Sequence, residues 1–237
     1  MNDTLFDPEL PEWGKNIAVF DLETTGLDLR EARIVTACAV ELDASGNIVG
    51  RDLEWLADPG IEIPEVAASV HGVTTEIARE KGRPAADVVA EIVATLRGYF
   101  ERGIPVVAYN APYDFTILFH EAVRHGLEPI ENPRPVIDPL VLDKHFDRYR
   151  SGKRRLENAA IQYGVSLTDA HNATADAVAA GRVAQAIFAK YPMPQDVNEL
   201  HDAQVLWSKE QDISFAEFMV KKDPTFTPTF GWPLKPH

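Results

Sequence analysis

Apolar residues recur along the chain with two periods, and the switch between them predicts the order of the elements. Asn16-Ile-Ala-Val-Phe-Asp21 is a short buried strand, followed by strands over Ala32 to Leu42 and Asn47 to Leu56. Between the last two, Asp43-Ala-Ser-Gly-Asn47 has the residues of a hairpin turn, so three antiparallel strands open the domain. From Pro84 to Phe100 the period becomes helical, with Val88, Val89, Ile92, Val93 and Leu96 on one face. Ile104-Pro-Val-Val-Ala-Tyr109 returns to strand. Pro112 suits the first turn of the next helix, whose apolar face is Phe115, Leu118, Phe119 and Ala122. Pro135-Val-Ile-Asp138 is a last short strand, and Ala173 to Lys190 is the longest helix before Pro192. Mixed strands first and alternation afterwards predict an α/β fold with a central sheet. From Pro192 the pattern changes to a charged amphipathic segment around Val205 to Val220, then a Pro- and Thr-rich end expected to pack loosely. The expected division is an N-terminal extension over 1–15, a main domain over 16–191 and a helical C-terminal extension over 192–237.

Composition narrows the class. Hydrophobic residues make up 45% and charged residues 25%, the balance of a soluble globular protein. No apolar run approaches the roughly 20 residues of a membrane span. The acidic start, Met1-Asn-Asp-Thr-Leu-Phe-Asp-Pro, lacks the basic and apolar parts of an export signal, so a cytoplasmic protein without a membrane partner is expected. The single cysteine, Cys38, lies in an apolar run and reads as a reduced core residue. A net charge of −14 opposes a polyanionic partner, but screening leaves the decision to local charge. Between Asp143 and Arg155 the cations Lys144, Arg148, Arg150, Lys153, Arg154 and Arg155 outnumber Asp143 and Asp147.

Candidate chemistry clusters in three places. Asp21 and Glu23 end the first strand two residues apart, so both carboxylates face the same way. Such crowding is relieved by a divalent cation, and oxygen-only ligands favour Mg²⁺ or Mn²⁺. Asp114 lies in the first turn of a helix, where exposed amides favour an anion. In Ala170-His-Asn-Ala-Thr-Ala-Asp176, Asn172 suits a helix cap, Asp176 falls in the first turns, and His171 stands just outside on the loop. A histidine there suits proton removal from water. The lone histidines elsewhere, His201 among them, read as surface residues.

Phe20-Asp-Leu-Glu-Thr-Thr-Gly26, Val106-Val-Ala-Tyr-Asn-Ala-Pro-Tyr-Asp114 and His171-x4-Asp176 together resemble the three exonuclease motifs of the DEDDh, or DnaQ-like, family. The resemblance runs from about Asn16 to Lys190, with further matches at Val70-His-Gly-Val-Thr74 and Val136-Ile-Asp138. One departure is Tyr109, where many relatives carry histidine. The resemblance implies a ribonuclease H-like fold, a central mixed sheet with helices on both faces. It implies two Mg²⁺ or Mn²⁺ ions held by Asp21, Glu23, Asp114 and Asp176, with His171 as general base. It suggests that His71 and the backbone at Thr24 and Thr25 line the terminal nucleotide pocket, with Asn110 a further substrate-binding candidate, while the local charge excess makes Lys153, Arg154 and Arg155 the expected guide for the phosphate backbone. The activity implied is 3′-5′ exonuclease action on single-stranded DNA, releasing nucleoside 5′-monophosphates, with a replication or repair partner. An exoribonuclease of the same family and a non-catalytic nuclease-like module stay open, because these residues read metal and phosphate and not the sugar.

Overall fold

The computed structural model describes residues 10–167 and 172–235. Three long strands, β1 (Ile17–Thr24), β2 (Ile34–Leu42) and β3 (Ile48–Asp58), form the antiparallel meander that the sequence predicts. Asp43 closes the β2–β3 turn by accepting from the amides of Ser45 and Asn47, both at 2.9 Å. The three other strands have two residues each: β4 (Arg83–Pro84), β5 (Val106–Val107) and β6 (Val136–Ile137). They pair in parallel and complete a six-stranded sheet in the order β4-β3-β2-β1-β5-β6. The strand predicted over 104–109 is shorter than expected, since Pro105 has no amide to give to a ladder.

The helices are α1 (Glu65–His71), α2 (Thr75–Lys81), α3 (Ala85–Glu101), α4 (Ala111–Arg124), α5 (Pro139–Phe146), α6 (Leu156–Tyr163), α7 (Ala173–Lys190) and α8 (Val197–Lys222). Alternation along β1 divides the core in two. Ala18, Phe20 and Leu22 join the apolar faces of α3 and α4. Ile17 and Val19 face the other way, onto Val183, Ala184 and Ile187 of α7. Helices therefore cover both faces of the sheet, and the carboxylates of Asp21 and Glu23 share the α7 side.

Contact between α7 and β1 is close because residue 181 is glycine. A Cβ there would lie 2.4 Å from Val19 Cγ1 and 2.5 Å from Leu42 Cδ1, inside any permitted approach. This tight seat brings the first turn of α7, with Asp176, toward the end of β1.

Residues 192–235 are less peripheral than their composition suggests. Helix α8 begins at Val197, where Asp196 accepts from the Asn198 amide at 2.8 Å. It covers the exposed edge of β6. His201 Nδ1 accepts from the Val136 amide at 3.1 Å, Gln204 Oε1 accepts from the Asp138 amide at 2.7 Å, and Gln204 Nε2 donates to the Val136 carbonyl at 3.1 Å. These side chains do the work of a seventh strand, satisfying edge groups that would otherwise be left unpaired. His201, expected at the surface, is 5% exposed.

The expectation of a loose C-terminal end is likewise overturned. Trp232 is 8% exposed in the α3/α4 core, its Nε1 donates to Asp138 Oδ2 at 3.3 Å, and the Lys235 amide donates to Thr116 Oγ1 at 3.1 Å. One large aromatic side chain buries enough area to anchor a polar segment, and average composition conceals it.

Candidate active site

Four carboxylates lie within electrostatic reach of one another where β1 ends. Asp21 and Glu23 come from the strand. Asp114, in the first turn of α4, is 2% exposed, and its Oδ1 accepts the amide hydrogen of Leu22 at 3.0 Å. The reason is topological: β5 pairs with β1 only at Ala18 and Val19, so the Leu22 amide has no strand partner and takes a side chain instead. Asn110, at φ 64°, turns the chain from β5 into α4. Buried Asp138 holds that turn by accepting from the amides of Asn110 at 2.9 Å and Ala111 at 3.0 Å. Asp176 enters from α7, whose N-terminus is capped as predicted by Asn172 Oδ1 accepting from the Ala175 amide at 3.1 Å.

Electrostatics ties the four together. Burial holds the Asp21 carboxyl well above the usual carboxylate range, and Asp114, Glu23 and Asp176 push it further in the same direction. Glu23 is raised to about 7, by burial first and then by Asp176. Asp114 is also raised, chiefly by burial, with the Leu22 amide pulling in the opposite sense. Among the described residues no cationic side chain relieves Asp21 or Glu23. This all-oxygen set has the chemistry that Mg²⁺ or Mn²⁺ requires. Among the described residues no three His, Cys, Asp or Glu side chains gather closely enough to hold an ion.

The other candidates fall into three groups. Thr24 and Thr25 are buried and their hydroxyls are committed to the turn after β1. Thr24 Oγ1 donates to the Gly26 carbonyl at 2.9 Å, and Thr25 Oγ1 accepts from the Arg33 amide at 2.9 Å. His71, at the end of α1, accepts from the Val73 amide through Nδ1 at 3.2 Å, so its proton lies on Nε2, which is buried without a well-aligned partner. It lies beside the Thr24 backbone, and burial lowers its pKa. The cleft in front of it is lined by Thr36, Glu54, Trp55, Asn172 and Thr174.

The basic stretch separates. Arg154 is not available to guide a substrate: its guanidinium is paired with Asp143 at 2.9 Å and donates to the carbonyls of Asp143 and Arg150, both at 3.0 Å. Lys153 and Arg155 are exposed. His171 lies outside the described residues.

Several participants were missed from sequence. Glu54 sits on the Asp21 face, because Asp21 pairs with Cys38 and Cys38 with Glu54 across the sheet, and it accepts from the Thr174 hydroxyl. Tyr113 Oη donates to the Gly26 carbonyl at 2.9 Å, bracing the turn after β1 against α4. Asp138 is the buried hub of the β5–α4 turn. The departure at Tyr109 also has a function in the fold, since its hydroxyl donates to the Arg154 carbonyl at 2.8 Å. Strand register is the only signal for Glu54, and it is legible only once the sheet is known.

The sheet order, with three antiparallel strands first and helices on both faces, is the mixed α/β arrangement expected of a ribonuclease H-like fold. The exonuclease family's RNase T sequence profile matches residues 18–184, and the chain belongs to that family of phosphodiester hydrolases. It is 31% identical over 159 residues to the DNA polymerase III subunit epsilon of Treponema pallidum, covering 67% of this chain and 69% of that one. It is 29% identical over 173 residues to the PolC-type DNA polymerase III of Pediococcus pentosaceus, covering 73% of this chain but only 11% of that polymerase. Exonuclease I of E. coli, solved with a dA16 oligonucleotide, shares the fold at a TM-score of 0.65 and 19% identity over 85% of this chain and 45% of that one. Among the described residues no helix is long and apolar enough to cross a membrane.

Proposed function

We propose that the protein is a 3′-5′ exonuclease that removes nucleoside 5′-monophosphates from single-stranded DNA ends in the cytoplasm, in the service of a replication or repair assembly. The observation that carries this reading is the convergence of Asp21, Glu23 and Asp114 at the end of β1, each held above the usual carboxylate range by burial first and by neighbouring carboxylates second. Such a site repels a phosphodiester until positive charge enters it. The polymerase III relatives favour a DNA substrate. Residues 16–191 form the catalytic unit in this reading, with 192–237 as its brace.

Two Mg²⁺ or Mn²⁺ ions, when bound, supply charge neutralisation and a nucleophile from water at neutral pH. Asp21, Glu23, Asp114 and Asp176 would hold them. His171 accepts the proton released by the attacking water. The Leu22 amide keeps Asp114 oriented. His71, Asn110 and the backbone of the Thr24–Gly26 turn enclose the terminal nucleotide, while Lys153 and Arg155 attract the strand behind it.

The test is digestion of matched DNA and RNA oligomers, labelled at either end, with Mg²⁺, Mn²⁺ or EDTA. A 5′-labelled DNA strand shortens stepwise to a ladder with metal and stays intact in EDTA. Faster digestion of RNA reassigns the substrate to the exoribonuclease reading. No shortening of either strand leaves a non-catalytic module.

A further inference from the structure

Away from the carboxylates, the loop over 147–155, between α5 and α6, concentrates five basic residues in a chain of net charge −14. Two of them turn inward. Arg150 and Arg154 both pair with Asp143, which is fully buried, and Arg150 also reaches Asp147 at 3.1 Å. Tyr163 Oη donates to the same Asp143 carboxylate at 2.9 Å. Gly152, at φ +100°, supplies a turn that other residues rarely adopt. Through Tyr109 Oη and the Arg154 carbonyl the loop is fastened to the segment leading from β5 into the helix that carries Asp114.

What this fastening presents is distinctive. Arg148, Lys153 and Arg155 are exposed, and no side-chain ion pair engages them among the described residues. Between them Tyr149 is 92% exposed, an aromatic ring held in water by a tethered loop. An unpacked ring among free cations suits a chain that alternates flat bases with phosphates, since stacking and charge neutralisation act together. A loop already ordered by Asp143 loses little further entropy on binding.

We propose that this loop is a subsite for single-stranded nucleic acid upstream of the terminal nucleotide, with Tyr149 stacking on a base and Arg148, Lys153 and Arg155 meeting phosphates. The inference rests on the nuclease reading above and adds a subsite to it.

The test uses the full chain and oligothymidylates of increasing length. Tyr149→Ala raises KM on long strands about 10-fold or more while kcat stays within about twofold, and Tyr149→Phe keeps the parent KM. The difference vanishes on dinucleotides, which are too short to reach the loop. Replacing Arg148, Lys153 and Arg155 by alanine lowers the slope of log KM against log salt by roughly 2. An oligomer carrying 5-iododeoxyuridine upstream of its 3′ end crosslinks to Tyr149. If the parent protein digests oligomers but Tyr149→Ala matches it at every length and no crosslink forms on the loop, the subsite is wrong and the nuclease reading stands. If the parent neither digests nor binds any oligomer, both fall.

Discussion

Asp114 accepts the amide hydrogen of Leu22 at 3.0 Å, joining two parts of the chain 92 residues apart. The bond places one carboxylate beside the strand that carries two others, and it separates two properties of Asp114: its oxygen as an acceptor and its charge.

Asp114→Asn keeps the acceptor and removes the charge. In Mg²⁺ its exonuclease rate is expected to fall on the order of 100- to 1000-fold, as loss of a metal ligand should cost several kcal/mol in the transition state. In EDTA its melting temperature equals or exceeds that of the parent, because a repelled buried carboxylate is gone. Asp114→Ala also leaves the Leu22 amide unpaired and melts lower than Asp114→Asn, by about 1–3 kcal/mol. Thermal melts with a single-turnover assay check this. Near-parental turnover by Asp114→Asn would remove Asp114 from the ligand set.

Raised carboxylates link stability to pH in a definite direction. Glu23 has an ordinary value of 4.5 and about 7 in the folded chain, and Asp21 moves the same way. The folded state favours the protonated forms, so this contribution is fully present below 4.5 and is lost as pH rises through about 7. Divalent cations compensate only the ionised groups. The Mg²⁺-induced rise in melting temperature is therefore expected to be larger at alkaline than at mildly acidic pH, and Glu23→Gln flattens that dependence. A rise independent of pH in the parent protein contradicts this account.

His201 acts with the opposite sign. Burial first, and Arg134 second, lower it from 6.5 to about 4, so its contribution to stability is present above 6.5 and is lost as pH falls toward 4. The full loss is roughly 3 kcal/mol. His201→Asn, which can still offer an acceptor to the Val136 amide, is expected to lower stability at neutral pH but flatten the acid limb. Denaturant unfolding across that range measures it, and an unchanged acid limb would point to another group.

Gly181 controls the distance between α7 and β1. Gly181→Ala forces a methyl group against Val19 and Leu42 and is expected to cost about 1–3 kcal/mol. Because the displaced helix carries Asp176, exonuclease activity falls further than stability alone explains. Gly98→Ala, in α3 with nothing within 4 Å of the added Cβ, is the control and gains up to about 1 kcal/mol. Equal activity in the two variants would mean that Asp176 does not depend on the seat of α7.

Much of this was legible along the chain because it is local. A short buried apolar run marked β1 and apolar or alternating runs marked β2 and β3, helical spacing marked α3 and α4, and α7 runs from Ala173 to Lys190 as its pattern predicted. The order of motifs around Asp21, Glu23, Asp114 and Asp176 was itself enough to point to an exonuclease. Asn172 was readable as a cap, since capping needs only the next three residues. Tertiary structure alone decided the rest, because the partners are distant in sequence and their pairing depends on register and burial. Arg154 reads as one more cation until Asp143 and four backbone carbonyls surround it, and His201 reads as surface until an unfinished strand edge needs an acceptor. Trp232 is one aromatic in a polar tail until it reaches Asp138. Glu54 joins the Asp21 face only through Cys38, a relation set by which residues stand opposite each other across the sheet. Local spacing determines which way a side chain leaves its own strand or helix; only the packed chain determines what it meets.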